Sequence, residues 1–157
     1  MTDRSVTHTT FVIERAYDAA PARTFAAWSD PALKVRWFMG PEDWESGDYE
    51  LDFRIGGRER SAGGPPGGEV HIYEARYHDI VPEKRIVYAY DLFLDDTRIS
   101  VSLATVEFAP EGAGTRLVLT EQAVFLDGYD VPVEREHGTG QLLDALGEEL
   151  RRQAENA

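Results

Sequence analysis

The feature that most limits what this chain can fold into is a run of four strand-patterned stretches, at about residues 69–81, 85–94, 98–108 and 115–125. Only compact turns separate them: Pro82-Glu83-Lys84, Asp95-Asp96 and Glu111-Gly-Ala-Gly114. Strands joined so closely pair with their chain neighbours, which predicts an antiparallel meander. Residues 7–17 alternate and are rich in Thr, Phe, Val and Ile. Residues 48–55 alternate Tyr49, Leu51, Phe53 and Ile55 against Asp48, Glu50, Asp52 and Arg54. Both read as further strands, half-buried by their period of two, so the expected count is about six.

Helical signals bracket this sheet. Pro21 suits a first helical turn, with Phe25 and Trp28 three apart on one face. Ser29-Asp-Pro31 breaks that helix and caps a second, 31–38, with Leu33 and Trp37 four apart; Gly40-Pro41 ends it. At the other end residues 132–153 carry Leu142, Leu143, Leu146 and Leu150 as an apolar stripe, with Glu148, Glu149, Arg151 and Arg152 on the opposite side. The first half of this helix contains Gly138 and Gly140 and no large apolar side chain, so it either bends or leaves space beneath it.

The period of two also assigns faces. His71, Tyr73, Ala75 and Tyr77 point inward, while Glu74, Arg76 and His78 face water. For residue 88 the parity is ambiguous between Tyr88 and its neighbours Val87 and Ala89. In the strand from Arg98 the apolar parity starts odd (Ile99, Val101, Leu103) and finishes even (Ala104, Val106, Phe108), which predicts a β-bulge near 103–105. In the last strand Leu117 and Leu119 point inward, and Glu121 shares their side. The loop 63–68, Gly-Gly-Pro-Pro-Gly-Gly, is read as flexible, and Gly56-Gly57 as a turn permitting positive φ.

A chain of 157 residues with 42% hydrophobic and 11% aromatic residues suits one globular domain, 1–157. The net charge of -13, without a basic run, disfavours nucleic acid and anionic membrane surfaces. Cysteine is absent, which excludes disulfides, thiolate metal sites and a cysteine nucleophile. Residues 1–17 lack the apolar stretch of a secretory signal, and no run is long enough to cross a bilayer, so the expected location is cytoplasmic.

Several segments resemble one known family: 11–41 (FVIERAYDAAPARTFAAWSDPALKVRWFMGP), Ile55-Gly-Gly-Arg58, 77–90 (YHDIVPEKRIVYAY), Gly114-Thr-Arg-Leu117 and Leu143-Asp-Ala-Leu146. The chain is similar to the activator-of-heat-shock-protein-90-ATPase-like family of the START-like, birch-pollen-allergen-like (SRPBCC) superfamily. The resemblance implies an α+β helix-grip fold, a curved antiparallel sheet around a long C-terminal helix, with two short helices after the first strand. It also implies a cavity between sheet and helix for a small hydrophobic or aromatic molecule, and a possible homodimer. Two departures stand out. Family members carry a tryptophan after the glycine early in the last helix, where this chain has Gly138-Thr139, and a histidine near the position of Glu121. The expected cavity is therefore roomier and more polar than in typical relatives.

The candidate ligand-binding residues are Trp37, Trp44, His71, Tyr73, Tyr77, Tyr90, Val106, Phe108, Leu117, Leu119, Glu121, Thr139 and Leu143. The aromatic ones can stack on a flat ligand and offer hydroxyls to its edge, or can be core with satisfied hydroxyls. Glu121 can serve as general base or ligand anchor, or pair with an arginine, or sit at a strand end in solvent. If the protein is an enzyme of the polyketide cyclase, aromatase or hydrolase kind, Glu121, His71 and Tyr73 are the acid-base candidates. His71 and His137 lack H-x-H or H-x-x-x-H spacing, and the glycines lack phosphate-loop spacing, so no metal and no cofactor is expected. A chaperone-cofactor role is a further alternative, although activators of that kind carry a separate client-binding module for which this chain is too short.

Overall fold

The computed structural model describes residues 4–40 and 43–156, and for Ser46 the backbone only. Strand β1 (Val6–Tyr17) leads into helices α1 (Pro21–Ser29) and α2 (Pro31–Phe38). Strands β2 (Glu45–Leu51), β3 (Arg58–Gly64), β4 (His71–Val81), β5 (Arg85–Leu94), β6 (Thr97–Glu111) and β7 (Gly114–Leu126) follow, and helix α3 (Pro132–Glu155) closes the chain. All seven strands form one antiparallel sheet in the order β1-β7-β6-β5-β4-β3-β2. The meander is continuous from β2 to β7, and β1 returns to pair with β7, so β1 and β2 form the edges.

Local chemistry explains the helical layer. Pro21 and Pro31 occupy first-turn positions, where a missing N–H costs nothing. Asp30 caps α2 by accepting the Ala32 amide at 2.9 Å. The Trp37 indole then donates to the Ala27 carbonyl at 2.9 Å, fastening α2 to α1. Pro41, expected to end this helix together with Gly40, lies outside the described residues.

Helix α3 buries Leu143, Leu146 and Leu150 against the inward residues of the sheet, among them Ile13, Val106, Leu117 and Leu119. Each such leucine contributes about 1.5–3 kcal/mol of burial. Tyr17 fixes the height of the helix on the sheet, because its hydroxyl donates to the Leu143 carbonyl at 2.7 Å. Its ring lies so close to the backbone of α3 that a Cβ at Gly147 would come within 3.2 Å of it. A side chain at 147 would require the Tyr17 ring to give way by a few tenths of an ångström.

Four expectations need correction. Among the described residues there are seven strands instead of about six, because β3 uses a polar stretch and the first two glycines of the Gly-Pro segment. Its alternation is masked by Arg, Glu and Ser side chains, of which Glu59 is buried with hydrogen-bond partners. Strand β2 starts and ends earlier than the alternation suggested. A register shift between Ser46 and Tyr49 moves its pairing, and residues 52–57 form the turn, with Gly56 at φ 83°. The β6 irregularity sits at Ile99, opposite Leu92 and Phe93, so the even parity begins at Ser100. Val101 and Leu103 are consequently outward and 40% and 41% exposed, while Ser100 and Ser102 are buried. Finally, Glu149 is buried instead of solvent-facing, approached by Arg36 and Arg152 and bonded by Gln153. The ambiguous parity at residue 88 resolves with Tyr88 buried.

Candidate functional site

The first half of α3 does not lie flat on the sheet. Between it, β4, β5 and the end of α2 a cleft of about 650 Å³ opens, lined by Phe38, Trp44, Ser61, His71, Tyr73, Tyr88, Tyr90, Leu92, Glu121, Asp130, Glu134, Arg135, Gly138, Thr139 and Leu142. Gly138 and Thr139 present small side chains at the point where a large one would fill the space, and the Thr139 hydroxyl is turned back onto the Arg135 carbonyl at 2.9 Å.

One wall is aromatic because the inward parity of β4 and β5 carries tyrosines. Tyr73 meets Phe38 edge to face (ring centroids 5.0 Å apart) and lies tilted against Tyr90 (4.9 Å), and Tyr90 neighbours Tyr88 (6.2 Å). At the mouth Trp44 lies over His71 at 4.5 Å. The Tyr73 hydroxyl is buried and has no hydrogen-bond partner among the described residues. Burial, and then the charge of Glu59, hold its pKa well above the ordinary tyrosine value, so it stays a protonated donor.

The floor is polar. Arg135, in the first turn of α3, is 8% exposed at its side chain. Its Nη2 donates to Asp130 Oδ2 at 2.6 Å and Ser100 Oγ at 2.8 Å. Its Nη1 donates to Tyr90 Oη at 3.3 Å and Ser102 Oγ at 3.4 Å, and stands 3.8 Å from Glu121 Oε2. Tyr90 in turn donates to Glu121 Oε2 at 2.8 Å. Burial pushes the Glu121 pKa up, against the opposing pull of the Tyr90 bond and the Arg135 charge. Burial alone would lower the pKa of Arg135, but Tyr90, Asp130 and Glu121 together raise it, so the guanidinium stays charged.

A second buried polar group supports the aromatic wall from behind. Lys34 and Glu59 have fully buried side chains and meet at 2.8 Å. Tyr77 and Tyr49 donate to the two Glu59 oxygens at 2.7 Å and 2.6 Å. The fully buried Lys34 ammonium also stands 4.1 Å from the Phe38 ring centroid. Desolvation lowers the Lys34 pKa, with Glu59 opposing.

Of the residues singled out in the sequence, the structure brings Trp44, His71, Tyr73, Tyr90, Glu121 and Thr139 to the cleft. Trp37 packs on Trp28 at 4.9 Å, Tyr77 belongs to the Glu59 group, and Val106, Phe108, Leu117, Leu119 and Leu143 are sheet–helix core. His137 lies in an outer groove with Val12, Arg15 and Asp144, apart from His71 and Glu121. Among the described residues no group of three His, Cys, Asp or Glu side chains is placed to hold a metal. No helix among them is long and apolar enough to cross a membrane.

Arg135, Asp130, Ser100, Ser102, Lys34 and Glu59 were missed. Arg135 had a readable signal: with Thr139, Leu142 and Leu146 it continues the inward stripe of α3 at spacings of four, three and four. Ser100 and Ser102 share the even parity of Ala104, Val106 and Phe108, but the larger odd residues outweighed them.

Comparison with known proteins gives a consistent picture. A family model described as Activator of Hsp90 ATPase homolog 1-like protein matches residues 18–151. The fold is similar to that of a Rhizobium leguminosarum protein, 50% identical, covering 96% of this chain and 99% of the other with a TM-score of 0.91. It is also similar to the Mll3558 protein from Rhizobium loti (43% identity, 92% and 99% coverage, TM-score 0.86) and to CV1439 from Chromobacterium violaceum (26%, 88% and 94%, TM-score 0.74). No curated protein matches the chain.

Proposed function

The chain belongs to the Activator of Hsp90 ATPase homolog 1-like family, and from that premise we propose that it binds a small, flat, largely apolar or aromatic molecule in the cleft under the first half of α3. The observation that carries this reading is the combination of an aromatic wall with a buried polar floor inside one space of about 650 Å³. That is the composition expected of a small-molecule site, where apolar contact supplies affinity and a few fixed polar groups supply orientation. Tyr73, Tyr88 and Tyr90 offer ring faces, and Glu121 and the Tyr73 hydroxyl offer hydrogen bonds.

The Lys34–Glu59 group serves this site indirectly. It holds Phe38 and, through Tyr77, which packs on Tyr88 at 5.7 Å, backs the aromatic wall, which lowers the ordering cost of binding.

A second reading, catalysis in the same cleft, is favoured by one observation: Glu121 lines the cleft with a raised pKa, as a general acid or base requires. The two readings separate on Glu121→Gln. Binding alone leaves most affinity for an uncharged apolar ligand intact and no turnover to lose, whereas catalysis loses rate with little change in affinity.

The experiment for the leading reading is native mass spectrometry of the purified protein, followed by denaturation and identification of what is released. An aromatic compound released in stoichiometric amount supports it. A protein that carries no adduct and takes up none from an aromatic panel at millimolar concentration overturns it.

A further inference from the structure

The cleft carries an uneven charge. Three carboxylates line it, Glu121, Asp130 and Glu134, against the single guanidinium of Arg135. That guanidinium is already committed: Asp130 and Ser100 hold Nη2, Tyr90 and Ser102 hold Nη1, and Glu121 stands behind at 3.8 Å. A ligand carboxylate reaching the floor would have to displace Asp130 or lie beside Glu121, with little water to screen the repulsion. The chain's net charge of -13 adds to the same field.

The walls have the same preference. Tyr73 and Tyr90 line the cleft, and aromatic faces attract cations. The Arg135 guanidinium already stands 5.8 Å from the Tyr90 ring centroid, as the Lys34 ammonium stands 4.1 Å from that of Phe38, which leaves the Tyr73 ring for a ligand cation. Glu134 is exposed on the first turn of α3 and sits at the mouth, where it meets an incoming charge first. Independently of the carboxylates, the buried Tyr73 hydroxyl lies on the cleft wall with no hydrogen-bond partner among the described residues.

We propose that the cleft selects aromatic molecules bearing an ammonium group, with the cation held between Glu121 and the Tyr73 ring, and that it rejects aromatic carboxylates. This rests on the reading of the cleft as a ligand site and adds to it the charge class of the ligand. A neutral alcohol of the same ring ranks between the two.

The test is isothermal titration calorimetry at neutral pH with three probes that share one ring: naphthylmethylamine, naphthylmethanol and naphthoate. The amine binds about tenfold or more tighter than naphthoate, which is about 1.4 kcal/mol. Added salt narrows the gap. Glu121→Gln and Glu134→Gln each reduce the amine's advantage about threefold or more, and Glu134→Gln, at an exposed position, does so without disturbing the fold. Naphthoate binding as tightly as the amine, in a protein that also binds the alcohol, overturns the charge inference and leaves the cleft reading standing. An amine preference that survives both substitutions overturns it as well. Binding of none of the three at millimolar concentration removes the cleft reading and the charge inference with it.

Discussion

Tyr90 donates its hydroxyl to Glu121 at 2.8 Å while accepting from Arg135 at 3.3 Å, so one phenol links an acid of the sheet to a base of the last helix. The link crosses the cleft floor and joins β5, β7 and α3 at the point where the helix stands off the sheet. It explains how a glutamate with almost no exposure is tolerated, since its charge has a donor and a guanidinium beside it. The arrangement still leaves Glu121 with a raised pKa, because the desolvation is only partly offset.

Stability should depend on pH through Glu121. Its pKa in the folded protein is raised above the ordinary value of 4.5, so the folded state holds this proton more tightly than the unfolded state does. The stabilisation is complete below that ordinary value and is lost as pH rises through the folded pKa. Glutamine imitates the protonated form and does not titrate. The stability of Glu121→Gln relative to wild type should therefore rise with pH across this window, as measured by urea unfolding at a series of pH values. A difference that stays flat or falls contradicts the assignment.

Breaking the Lys34–Glu59 pair from one side should be costly. Lys34→Met leaves the Glu59 carboxylate buried with only tyrosine donors, a loss of about 3–5 kcal/mol in urea unfolding. The double variant Lys34→Met with Glu59→Leu should recover most of that loss, since no buried charge is left unpaired. Equal losses in the single and double variants would mean that packing, and not charge, dominates the site.

Thr139→Trp should fill the cleft. Thr139 lines it beside Gly138, where a Cβ would meet no atom within 4 Å. The indole should reduce the affinity for naphthylmethanol about tenfold or more without lowering the melting temperature, as seen by calorimetry and thermal unfolding. Unchanged affinity in a folded variant would place binding elsewhere.

Much of this fold was legible in the sequence because its signals are local. Period-two alternation, short turns and the leucine stripe of α3 each act within a few residues, and the meander follows from them. Strand β3 was not legible: its side chains are Arg, Glu and Ser, and what buries Glu59 is a lysine 25 residues away. The site divided in the same way. Tyr73 and Tyr90 follow from parity, but the partners of Glu121 depend on β6 shifting phase at Ile99, which sends Ser100 and Ser102 inward. With the phase change at Ile99 instead of near 103–105, the facing of residues 100–103 is reversed, and the apolar size of Val101 and Leu103 pointed the wrong way. Arg135 completes the floor through tertiary contact, since Asp130 alone of its partners is near in sequence.

The most direct test of the cleft is a titration of isotopically labelled protein with naphthylmethanol, a neutral probe, followed by amide and indole chemical shifts. The cleft predicts that the shifts concentrate at Phe38, Trp44, Tyr73, Tyr90, Arg135 and Thr139, with the Trp44 indole responding at the mouth. Shifts concentrated instead in the outer groove around Val12 and His137, or none at saturating probe, would contradict it.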